Sequence, residues 1–267
     1  MRFVVYRAWA ARIVCAAAIA LVSAVSPAGA TEAPGLRGPE TPGRVRIPDL
    51  RVLFVGNSLT ASNELPLVVQ ALAAAQRGTW AVQAVTLPGA SLEDHWANGQ
   101  ALRALRSERW DVVILQQGPS SLPESRVNLR EWTRRWAGEI HANGARPALF
   151  MVWPGLDRQE FFADVRESYS LAASDVGGIF IPAGEALRLS GEVDPAAPLY
   201  VDDGFHPSVA GTYAAALSIF GVLSGTDPLK CPTRVRLADG TVVEIASPLS
   251  QLLQTAASEA NRLFSRR

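Results

Sequence analysis

Short runs of β-branched and apolar residues alternate with stretches of helical composition, and this alternation constrains the fold of the chain more than any other feature. Arg51 to Val55, Ala81 to Leu87, Asp111 to Leu115, Ala148 to Val152 and Ile179 to Ile181 read as strands. They are near-continuous apolar runs, the pattern of strands buried on both faces in a parallel sheet. Between them, Glu64 to Gln76, Leu92 to Arg106, Val127 to Ala142 and Gln159 to Ser174 have helical spacing, as does Val209 to Leu223 after the last strand. The alternation predicts an α/β protein, a three-layer α/β/α sandwich around a five-stranded parallel sheet. Asp239-Gly240 between Val235-Arg236-Leu237 and Val242-Val243-Glu244 predicts a small hairpin, and Gln251 to Phe264 a closing helix; both are expected to be peripheral.

Arg2, Arg7 and Arg12, with no acid, precede an uncharged run from Ile13 to Val25 that ends near Ala28-Gly29-Ala30. That order predicts a secretory signal over residues 1–30, cleaved before Thr31, and export to the periplasm or the medium. The run falls short of the roughly 20 apolar residues of a bilayer span, so no stable membrane span is expected after cleavage. Cys15 lacks the small-residue surroundings of a lipid-modified cysteine. Residues 31–49 are rich in Pro and Gly and read as a flexible leader, which leaves residues 50–267 as the folded domain. The 25 basic and 25 acidic residues balance, and loss of the signal leaves a charge near −3. Neither value suits a nucleic-acid partner. Cys231 is then the lone cysteine, so no intrachain disulfide forms and stability must come from core packing.

In an open parallel sheet, ligands bind beyond the carboxyl ends of the strands. The first strand ends in Val55-Gly56-Asn57-Ser58-Leu59-Thr60, which puts Ser58 in a tight turn at the mouth of the sheet. A serine hydroxyl needs a base to become nucleophilic. The histidines are His95, His141 and His206, and His206 lies in Asp202-Asp203-Gly204-Phe205-His206-Pro207, just before a helix. A carboxylate three residues before a histidine can hold one ring nitrogen while the other points outwards. Asp203 has that spacing; Asp202 is a substitute.

Gly-Asn-Ser-Leu after the first strand, together with Asp-x-x-His near the end, resembles the SGNH, or GDSL-like, serine hydrolases over roughly Leu50 to Gly225. The resemblance implies a flavodoxin-like sheet and a Ser58, His206, Asp203 triad acting on carboxylic esters. It also implies an oxyanion hole from the N–H groups of Ser58 and Gly89, the latter in Leu87-Pro88-Gly89-Ala90-Ser91. The family's third block carries an asparagine where this chain reads Leu115-Gln116-Gln117-Gly118-Pro119-Ser120-Ser121. Gln116 or Gln117 is the expected amide donor there, with Ser120 a weaker candidate. Asn57 stands where the family usually has aspartate.

Each signal has a plainer reading. Ser58 alone also reads as a helix cap. His95, at the start of a helix, is either near the substrate or an amphipathic surface residue, and His141 suits a helix C-terminus. Arg130, Arg134 and Arg135 among Glu131 and Glu139 form a solvated, charge-paired face. No histidine pair has metal-ligand spacing, so neither a metal nor another cofactor is expected. Two rivals to the hydrolase remain: a non-catalytic glycan- or acyl-binding module on the same fold, and a phosphate binder built on the hydroxyls of Ser58, Thr60 and Ser62. The expected partner is a small-molecule, carbohydrate or lipid ester.

Overall fold

The computed structural model describes residues 5–6 and 49–265. The predicted signal and leader therefore lie outside the described residues, apart from Val5–Tyr6 and Asp49.

Five parallel strands form the sheet. In chain order, after the two-residue β1 (Val5–Tyr6), they are β2 (Leu50–Gly56), β3 (Trp80–Thr86), β4 (Val112–Leu115), β5 (Arg146–Phe150) and β6 (Ile179–Ile181). The spatial order is β1-β3-β2-β4-β5-β6, with β1 antiparallel on β3. This edge strand was not anticipated; the free edge of β3 offers a row of N–H and C=O groups on which an extended segment can pair. Val52 to Val55 and Val113 to Leu115 are essentially inaccessible to solvent, as the unbroken apolar runs require.

The first helices are α1 (Ser58–Ala61) and α2 (Leu65–Ala75); α3 (Leu92–Asn98) and α4 (Gln100–Ser107) follow β3. Next come α5 (Pro123–Asn143), α6 (Phe162–Asp175), α7 (Ala183–Val193) and α8 (Val209–Ser224). Right-handed crossovers dictate which face each helix covers. The chain moves outward from β2 to β3 through α2, then back across β2 and onward through β4, β5 and β6. That reversal puts α2 on one face, where it meets α8, and α4, α5 and α6 on the other, where successive members touch. It also opens a crevice between the carboxyl ends of β2 and β4, the usual ligand position in such sheets. A three-layer α/β/α sandwich results.

Three departures from the sequence reading have physical causes. The helix expected over Leu92 to Arg106 is two helices, because Gly99 takes the left-handed conformation (φ 74°) that closes α3. Helix α7 was not anticipated: Gly184, Ser190 and Gly191 interrupt its apolar pattern, and the fully buried Glu185 holds a place that an apolar residue normally takes. Glu185 is paired with Arg166 at 2.8 Å and Arg188 at 2.6 Å. The hairpin of β7 (Arg234–Arg236) and β8 (Val242–Glu244) forms as expected. Helix α9 (Leu249–Phe264), however, is not peripheral; it buries Leu253, Ala257 and Ala260 against α7 and α8.

Candidate active site

Strand β2 ends at Gly56, and Asn57 caps the one-turn helix α1, its Oδ1 accepting the Leu59 N–H. Ser58 is the first residue of that helix and is half-buried at the crevice. A Cβ on Gly56 would lie 2.3 Å from Thr60 Oγ1 and 2.5 Å from Gln116 Oε1, so only glycine lets the turn close this tightly. Asn63 and Glu64 then both take left-handed backbone, with φ 49° and 55°. From there Asn63 Nδ2 donates to the Pro207 carbonyl at 2.9 Å and to Thr212 Oγ1 at 2.8 Å. This amide joins the serine turn to the histidine loop, a role that no local sequence pattern reveals.

The histidine loop is held from several sides. Val201 N–H donates to the His206 carbonyl, Leu156 N–H to the Gly204 carbonyl, and Trp153 Nε1 to the Phe205 carbonyl. His206 Nε2 lies 2.9 Å from Ser58 Oγ, and His206 Nδ1 lies 2.6 Å from Asp203 Oδ2. Asp203, rather than Asp202, is the carboxylate on the ring. Its other oxygen accepts the N–H groups of Phe205 and His206, each at 2.8 Å. The Phe205 N–H, then the His206 ring and the His206 N–H, pull the Asp203 pKa down from 3.8 to about 2. An ionised carboxylate on Nδ1 fixes the tautomer with its proton there and leaves Nε2 as an acceptor for the serine proton.

Gly89 follows β3, whose end is registered beside that of β2 through Gly56 and Thr86. It is exposed and left-handed (φ 68°). Among the hydrogen bonds of the described residues, the N–H groups of Ser58 and Gly89 have no acceptor. Both remain available to an oxyanion.

The two glutamines do not join them. Gln116 has no exposed surface, and its Nε2 donates to Asn57 Oδ1 and the Gln117 carbonyl. Gln117 is also buried; its Nε2 donates to Ser120 Oγ at 3.0 Å, and its Oε1 accepts the Leu92 N–H. The expectation of a side-chain donor from Gln116 or Gln117 is therefore corrected. Buried amides must satisfy their own groups, and these do so within the protein. Ser120 is likewise buried, donating to the Gly118 carbonyl.

His95 answers to neither earlier reading. It is fully buried, with Nε2 at 2.8 Å from the Gly56 carbonyl, and Nδ1 has no partner. Burial lowers its pKa, opposed by the Gly56 carbonyl and by Asp94. The neutral ring thus props the turn before Ser58. The phosphate-binding reading loses its basis, because Thr60 is buried on Gln116 and Ser62 Oγ is turned to the Ser58 carbonyl. Among the described residues no cluster of His, Cys, Asp or Glu could hold a metal ion.

No family model matches the chain, and no curated protein matches it. Solved structures do. A candidate SGNH hydrolase from Slackia heliotrinireducens is similar at 26% identity and TM-score 0.55, over 65% of this chain and 98% of that one. This likeness supports an SGNH, or GDSL-like, assignment for the chain. A DUF4886 family protein from Bacteroides uniformis shares the SGNH-like fold at TM-score 0.65 and 20% identity, over 80% of this chain and 95% of its own. A lipase/acylhydrolase from Enterococcus faecalis does so at TM-score 0.54 and 17% identity, over 66% and 96%. At that coarse level the likeness supports a hydrolase. Among the described residues no helix is long and apolar enough to cross a membrane.

Proposed function

We propose that this SGNH protein is an exported serine hydrolase that cleaves carboxylic esters. The observation that carries the reading is the continuous chain from Ser58 Oγ through both ring nitrogens of His206 to Asp203, at 2.9 and 2.6 Å. His206 takes the Ser58 proton as Oγ attacks the acyl carbonyl, and returns it to the departing alkoxide. The carbonyl oxygen becomes an oxyanion between the N–H groups of Ser58 and Gly89. Donors of this kind are worth about 3 kcal/mol each to the barrier. Water, deprotonated by His206, then releases the acyl group from Ser58. The substrate class is a small-molecule, carbohydrate or lipid ester. Export rests on the basic and then apolar order of residues 1–30.

A second reading, the non-catalytic glycan- or acyl-binding module, is favoured by one feature: the Gln116 and Gln117 amides, expected to supply a third donor, are committed within the protein. One experiment separates the two. Residues 31–267 and the Ser58→Ala variant are exposed to a fluorophosphonate and weighed intact. A single adduct on the parent protein alone is expected, followed by turnover of simple aryl and acetyl esters. A folded parent that takes no adduct overturns the hydrolase in favour of the binding module.

A further inference from the structure

The Gln116 amide has its full complement of hydrogen bonds, and three of the four land on the turn that carries Ser58. Oε1 accepts the Asn57 N–H at 2.8 Å and the Thr60 hydroxyl at 2.7 Å. Nε2 donates to Asn57 Oδ1 at 2.9 Å and to the Gln117 carbonyl at 2.6 Å. Two acceptor sites and two donor hydrogens are all that a primary amide offers. Nothing remains for a substrate.

The partner that receives most of this is the residue immediately before Ser58. Asn57 is gripped at its backbone N–H and at its side-chain oxygen, and that same oxygen caps α1 through the Leu59 N–H. Its Nδ2 donates to the Ala90 carbonyl at 3.2 Å, in the loop that holds Gly89. Gln116 itself is tied to the sheet: its N–H donates to the Val55 carbonyl at 2.9 Å, continuing the β2–β4 ladder. A rigid strut thus runs from the end of β4, through Asn57, to both loops that carry free N–H groups.

We infer that Gln116 is a positioning residue: it acts through Asn57 to fix the direction of the Ser58 N–H and the placing of the Gly89 loop. The inference rests on the proposed hydrolase reading and assigns Gln116 a role other than contact with the oxyanion. A donor direction matters only once charge has developed on the carbonyl oxygen, so the effect belongs in kcat rather than KM.

The test compares wild type, Gln116→Met and Gln116→Glu by steady-state ester hydrolysis, with thermal unfolding of each. Gln116→Met keeps the length of the side chain and removes its four bonds. The expected result is a kcat lowered about 10²-fold with KM within about threefold, the signature of an interaction made in the transition state. A kcat within about threefold of wild type, or a loss carried mainly by KM, overturns the inference. Gln116→Glu decides the matter if Gln116→Met does not fold. Ionised, its carboxylate repels Asn57 Oδ1; protonated, it donates there as Nε2 does. The ratio of variant to wild-type kcat is expected to rise as the pH is lowered from 8 to 5. A flat ratio overturns the inference. Wild type that takes fluorophosphonate while the variants behave as wild type sinks the strut alone; wild type that takes none sinks the hydrolase reading and the strut with it.

Discussion

Substituting Gly56 by alanine tests whether the serine turn is held by packing. No unusual backbone angle is required of Gly56, so the effect of a methyl comes from what it strikes. The new Cβ would sit 2.3 Å from Thr60 Oγ1, 2.5 Å from Gln116 Oε1 and 2.9 Å from Thr60 Cβ. Those two side chains are buried and joined to each other at 2.7 Å. Rotating Thr60 away breaks that bond, at about 1 kcal/mol, and leaves a buried hydroxyl that costs about 1 kcal/mol more. Shifting Gln116 instead strains its two bonds to Asn57, at a similar cost. Overpacking adds about 1–3 kcal/mol. The sum is about 3–5 kcal/mol, a large part of the stability of a typical domain. Urea unfolding at neutral pH reads it as a fall in midpoint at constant m. Gly89→Ala is the internal control: nothing lies within 4 Å of its Cβ, but φ is 68°, so it is expected to lose only the 1–2 kcal/mol of left-handed strain. A Gly56→Ala loss below about 1 kcal/mol, or no larger than that of Gly89→Ala, refutes the packing argument.

Three further outcomes follow from the electrostatics. Asp203→Asn is expected to leave the fold intact and lower kcat about 10⁴-fold, because the amide no longer holds the tautomer with the proton on Nδ1; steady-state kinetics with circular dichroism checks this. In the parent the Asp203 carboxyl, with its pKa lowered from 3.8 to about 2, contributes stability above the unfolded value and loses it as pH falls through about 2, so its carbon resonance is expected to titrate near 2. His95 has the opposite charge type: its folded pKa is lowered by burial, so the unfolded chain binds the extra proton and stability falls as pH drops below about 6.5. The slope from one such group is at most about 1.4 kcal/mol per pH unit, and urea unfolding between pH 7 and 5 is expected to show a shallower slope in His95→Gln than in wild type. Equal slopes count against a neutral buried His95.

Much of the fold was legible because its determinants are local. Unbroken apolar runs specify strands buried on both faces, and their alternation with helical stretches leaves few topologies once crossovers are right-handed. Helix α7 escaped because Glu185 is tolerated inside only by virtue of Arg166 and Arg188, residues whose approach no local pattern reveals. The break at Gly99 was present as Asn98-Gly99 but was outweighed by the periodicity around it.

For the site, the sequence by itself determined residue types and their order: Ser58 beyond the first parallel strand, Gly89 beyond the next, Asp203 three residues before His206. It also limited what lies at the end of β4 to glutamines. Tertiary structure decided the rest. It put the Asp203 carboxylate on the His206 ring, tied the histidine loop to Asn63, and turned His95 inward beneath Gly56. The register that pairs Val55 with Leu115 puts Asn57 beside Gln116 and commits that amide to the serine turn. The physical reason is that strand and helix propensities act over a few residues, whereas a hydrogen bond between side chains 59 residues apart exists only after the sheet has fixed their separation and direction.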